Sequence, residues 1–170
     1  MKTKQLSSKQ LIALVLILIG AVSSIFGITG LTKSSSEDPY ESRNGIVMVY
    51  ATVYDNEGNS EAGMGTGWAI GTPGQPIQYI VTNGHVVNKA YTYPRYDSSL
   101  YGGEIDVFFS AAENDYVKAK VVYFSPQEEK DIAILQLPSP TDKRTALTLR
   151  DSGDIKIGDT AYALGYPGNS

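Results

Sequence analysis

The 170-residue chain has no cysteine and a single histidine, His85. The first absence excludes disulfides, thiolate nucleophiles and cysteine-based zinc sites. The second excludes a histidine-rich metal site within the chain. Cation is also scarce: Lys and Arg number 14 against 18 Asp and Glu, a net charge of −4, with no basic cluster. A nucleic-acid partner is therefore not expected, because phosphate recognition needs clustered Lys and Arg. No repeat of 20–50 residues is visible. After the first thirty residues the only hint of helix is a turn or two following Asn83.

The composition is otherwise globular, with 42% apolar and 19% charged residues. Seventeen Gly, eight Pro and twelve Tyr favour short strands and turns over long helices. The length allows about one domain.

The amino terminus has a different character. Lys2, Lys4 and Lys9 precede an apolar run from Leu11 to Leu31, interrupted only by Ser23, Ser24, Thr29 and three glycines. As a helix this run spans about 31 Å, enough to cross a bilayer core of about 30 Å. Residues 1–10 are thus expected as a cytoplasmic basic terminus and 11–31 as a transmembrane signal-anchor. The positive-inside rule places the rest of the chain on the extracytoplasmic side of the cell membrane. The alternative is a signal peptide cleaved near Ala21-Val22-Ser23, followed by secretion. The polar, turn-prone residues 32–44 read as a linker.

From residue 45 onwards, strand-length apolar runs alternate with turn signals. "IVMVYATVY" (46–54), "GTGWAIG" (65–71), "IQYIVT" (77–82), "EIDVFFS" (104–110), "YVKAKVVYF" (116–124), "DIAILQL" (131–137) and "TAYALGY" (160–166) are the strand candidates. Such spacing implies an all-β barrel or sandwich.

Three stretches bear on chemistry. In "YIVTNGHVV" (79–87) a β-branched strand runs into His85, and Asn83 can cap a short helix that holds the imidazole on a rigid turn. A histidine so held can shuttle protons near neutral pH. Asp131 opens a nearly all-apolar strand, where a carboxylate is costly without a partner. The Nδ1–H of a neutral imidazole would satisfy it and fix the tautomer. In "GMGTGWAIG" the glycines stand at 63, 65 and 67, and Trp68 occupies the sixth place of a dinucleotide G-x-G-x-x-G. A strand follows rather than a helix, so the cluster reads as close strand packing and not as a nucleotide site.

Taken in order, "GMGTGWAI", "YIVTNGHVV", "DIAILQL" and "GDTAYALGYPG" resemble the first barrel of the trypsin-like (chymotrypsin-fold) serine peptidases, nearest to the bacterial Deg/HtrA type. The resemblance implies an antiparallel six-stranded barrel over residues 45–170, the first of a two-barrel fold and incomplete at its carboxyl end. It implies a serine endopeptidase acting on protein or peptide substrates, with His85 as general base and Asp131 orienting it, and with no cofactor or metal. In that family the nucleophilic serine and the oxyanion donors belong to a second barrel. No nucleophile is expected in this chain: Ser170 ends a Gly/Pro turn, and Ser98 and Ser99 lie in the Tyr-rich loop 91–103. The alternative is a non-catalytic, membrane-tethered binding module on a protease-like barrel. A third reading, a β-sandwich adhesin, leaves the order of the motifs as coincidence. Nothing in the residues bears on oligomeric state.

Overall fold

In a computed structural model, the described residues are 39–92, 100–110 and 112–166, within a compact unit running Glu37–Ser170. The expected span 11–31 lies outside them. So do Ser98, Ser99 and Ser170. Among the described residues no helix is long and apolar enough to cross a membrane.

A one-turn helix α1 (Pro39–Ser42) and a 3-10 turn (Arg43–Gly45) lead into the sheet, so the end of the stretch read as linker is structured. Seven strands follow: β1 (Ile46–Asp55), β2 (Ser60–Ile70), β3 (Ile77–Thr82), β4 (Leu100–Ser110), β5 (Asp115–Lys118), β6 (Lys120–Ser125) and β7 (Ile132–Thr141). Helix α2 (Gly84–Tyr91) lies between β3 and β4. All pairings are antiparallel, in the order β5-β4-β1-β2-β3-β7-β6.

Among the described residues the expected six strands are seven. "YVKAKVVYF" is not one strand but two, parted at Ala119, whose N–H still donates to Ile105 O of β4 at 2.8 Å. The first half pairs with β4 and the second with β7. The outermost strands of the sheet order are therefore consecutive in the chain, and the sheet curls. A second correction concerns "TAYALGY", which forms no strand. A strand exists by laddering to a neighbour, and this segment's hydrogen bonds to the sheet run to one side chain: the Tyr166 N–H donates to Thr66 Oγ1 at 2.8 Å, and that hydroxyl donates to Tyr166 O at 3.4 Å. Tyr162 is left 68% exposed.

Alternation sets the core. On β1, Val47, Val49, Ala51 and Val53 point inward while Met48, Tyr50 and Tyr54 point outward. Ile77, Ile80, Val87, Val107, Leu135 and Leu137 are among the other interior residues, each contributing about 1.5–3 kcal/mol by burial. The glycine cluster packs as its sequence suggests. A Cβ at Gly67 would lie 2.6 Å from Ile80 Cγ2, and one at Gly65 2.5 Å from Val86 Cγ2 of α2. At Gly63 it would meet nothing within 4 Å. Arg144 ties the far end together: Nε donates to Ile46 O at 2.9 Å, and the guanidinium also reaches the carbonyls of Phe109 and Lys143.

Candidate active site

Strand β3 ends at Thr82, a buried residue whose hydroxyl donates to Thr66 O of β2 at 2.8 Å. Asn83 then turns the chain in an extended conformation, and α2 begins at Gly84. His85 is thereby fixed in the first turn of a helix whose Val87 and Ala90 anchor it to the core.

Across from it, β6 and β7 are joined by the turn 126–131. Pro126 O accepts from the N–H groups of Glu129 (3.1 Å) and Asp131 (2.9 Å). Buried Ser125 locks the turn from beneath, its Oγ accepting from Lys130 N and donating to Glu129 Oε2, both at 3.2 Å. Asp131 leaves the turn with φ +50°, a left-handed conformation that Asp tolerates better than most residues. It stands just ahead of β7 rather than inside it.

These two elements bring His85 and Asp131 together. Nδ1 lies 2.9 Å from Asp131 Oδ2 and 3.2 Å from Oδ1. The His85 backbone N–H donates to Oδ1 at 2.9 Å. An ionised carboxylate only accepts, so the ring must donate from Nδ1, which leaves the lone pair of the neutral imidazole on Nε2. The imidazole is about half exposed, with 52% of its side-chain surface accessible against 24% for Asp131. A reactant can therefore approach the ring while the carboxylate stays behind it.

The cap is a further correction. Asn83 occupies the N-cap position but makes no side-chain cap bond. The open first turn is served instead by Asp131, 46 residues along the chain from His85, whose charge also suits the positive helix end. Asn83 turns its amide across the gap, donating from Nδ2 to Asp131 O at 3.2 Å and Oδ2 at 3.1 Å. Gly84 permits the approach: a Cβ there would lie 2.3 Å from Ser125 O. Both neighbours stand in the His85 motif, yet their partners are too distant in sequence to be read from it.

The backbone N–H of His85 holds the Asp131 carboxyl below its ordinary value, aided by the imidazole and the Asn83 amide and opposed by partial burial. A depressed carboxylate stabilises the fold above its unfolded-state value, and that contribution is lost as pH falls through the folded value. Thermal melts of wild type and Asp131→Asn should accordingly differ most above the ordinary carboxylate range, and the difference should shrink as pH falls through the depressed folded value. A difference that grows on acidification would contradict the assignment.

Among the described residues no group of three or more His, Cys, Asp or Glu side chains is placed to hold a metal ion.

Comparison with known proteins identifies the family. A family model for the trypsin-like peptidase domain matches residues 65–170. Over 89 residues, 52% of this chain, it is 29% identical to the periplasmic pH-dependent serine endoprotease DegQ of Escherichia coli K12. Over the same length it is 29% identical to the chloroplastic Protease Do-like 1 of Arabidopsis thaliana. The matched stretch spans 16% and 17% of those two relatives, about a sixth of their length. Among solved structures, Deg5 aligns with a TM-score of 0.45 and 21% identity, covering 74% of this chain and 56% of that one. The chain belongs to the trypsin-like peptidase domain family, and its likeness within that family is to the Deg proteases.

Proposed function

We propose that the chain carries the base-and-carboxylate half of an exported serine endopeptidase. The observation that supports this most is the 2.9 Å contact between His85 Nδ1 and Asp131 Oδ2, reinforced by the His85 N–H on the same carboxylate. His85 Nε2 takes the proton of a serine hydroxyl as its oxygen attacks the scissile carbonyl. The imidazolium so formed donates to Asp131, then returns the proton to the leaving amine as the tetrahedral intermediate collapses. Water, activated by the same nitrogen, releases the acyl group and regenerates the serine.

On this reading the serine and the oxyanion donors belong to a second barrel, as the family resemblance implies. Among the described residues no serine hydroxyl is bonded to the imidazole, and every polar contact of the Ser125 side chain runs to its own turn. The basic start and the apolar run Leu11–Leu31 favour export with retention at the membrane, the peptidase unit facing away from the cytoplasm. Proteins or peptides are the substrates, and no cofactor takes part.

A serine-directed fluorophosphonate probe tests the reading. A chain extended at its carboxyl end should be labelled, its His85→Ala form should not, and the 170-residue chain should stay unlabelled. Labelling of the short chain at Ser170 would overturn it.

A further inference from the structure

The candidate pair explains what His85 and Asp131 do for each other, but not what holds the carboxylate in register. Three donors converge on Asp131. His85 N occupies Oδ1, His85 Nδ1 sits nearest Oδ2, and Asn83 Nδ2 bridges Oδ2 and the main-chain oxygen of the same residue. The last is the only one of the three not supplied by His85. It is also the only one that ties the carboxylate to its own main chain.

The orientation of the Asn83 amide is not ambiguous. Both of its partners are acceptors, so the NH₂ group and not the carbonyl must face them. Nor is the side chain spent on its own helix, since it makes no cap bond there. Asp131 itself stands at φ +50°, a sparsely populated conformation that the contacts around it must hold.

We propose that Asn83 is a positioning residue, whose side-chain amide clamps Asp131 so that Oδ2 faces His85 Nδ1 and holds the imidazole in its Nδ1–H tautomer. The inference rests on the functional reading above and names a residue acting through Asp131, without contact to substrate. Unconstrained neutral histidine prefers the proton on Nε2, which leaves no lone pair there to take a proton. A loosened carboxylate therefore returns the ring towards the unproductive form. A hydrogen bond to an ionised carboxylate contributes about 1.5–3 kcal/mol, so losing even part of it corresponds to about fivefold or more in an equilibrium ratio.

The chain has one histidine, so ring nitrogen shifts report this site alone. The experiment is nitrogen NMR of the full chain, labelled in its imidazole and solubilised in detergent because of the run Leu11–Leu31, above the imidazole's titration range. Wild type should show mainly the Nδ1–H tautomer. In Asn83→Ala, and in the isosteric Asn83→Asp that lacks the N–H donors, the ratio of tautomers should fall about fivefold or more. The amide spectrum of the sheet should stay unchanged, since Asn83 is exposed and outside the core. In the extended, active chain, kcat should fall by a similar factor with KM constant. An unchanged tautomer ratio in either folded variant sinks the role of Asn83 and leaves the pair standing. Absence of the Nδ1–H form from wild type sinks the pair itself, and the clamp with it.

Discussion

Asp131→Asn in a chain extended to include the serine should lower kcat by about ten-thousandfold while leaving the sheet folded. The size follows from hydrogen-bond direction rather than from the lost charge alone. The substituted amide could turn its NH₂ towards Nδ1, and the ring would then accept there and carry its proton on Nε2. The nitrogen that must receive the serine proton would already be occupied. The loss should fall on kcat more than on KM, because the carboxylate stands behind the imidazole and is only 24% exposed. The fold should persist, since Asp131 lies ahead of β7 and the core residues Ala133, Leu135 and Leu137 are untouched. Some weakening of the α2 start is expected, because the His85 N–H loses its ionic acceptor. Steady-state kinetics on the purified variant decide the matter. A loss under tenfold would mean that Asp131 does not set the tautomer.

How much of this could be read in advance differs from residue to residue. Strand β3 has the bounds its sequence suggests, Ile77–Thr82, because a β-branched run between turn residues forms a strand wherever neighbours exist. The break at Ala119 is invisible locally: the alternation Val117-Lys118-Ala119-Lys120-Val121 runs straight through it, and only the change of partner from β4 to β7 creates it. Thr160–Tyr166 carries the same kind of local signal and forms no strand, since pairing is a property of two segments and not of one. The helix start shows the same limit. Asn-Gly-His has a cap residue in the right place, but the group that serves the open N–H is the Asp131 carboxylate, which only folding brings there. The residue types at the site were therefore legible from their motifs, whereas the contacts joining them depend on two turns packing face to face.

That packing makes Gly84→Ala a disruptive small change at the site. Helix propensity argues for the substitution, favouring Ala over Gly by up to about 1 kcal/mol. The neighbouring backbone argues against it more strongly. The new methyl would stand 2.3 Å from Ser125 O, where real contacts are essentially never under 3.0 Å. Ser125 cannot yield cheaply, because its side chain holds the turn that presents Asp131. The start of α2 and the β6–β7 turn must instead separate, and the His85–Asp131 contact spans that gap. The expected cost is about 1–3 kcal/mol of stability, as for an overpacked interior, with a drop in Tm of several degrees. Loss of the Nδ1–H tautomer should accompany it even where the protein still folds. Gly63→Ala supplies the control: its methyl meets nothing within 4 Å, so stability should change by no more than about 0.5 kcal/mol. Denaturant titration of the two variants side by side separates close approach from a general intolerance of substitution at glycine. If both lose stability equally, the separation at Gly84 is not what fixes the site; if Gly84→Ala alone falls, the approach of two backbones is what holds base and carboxylate within reach.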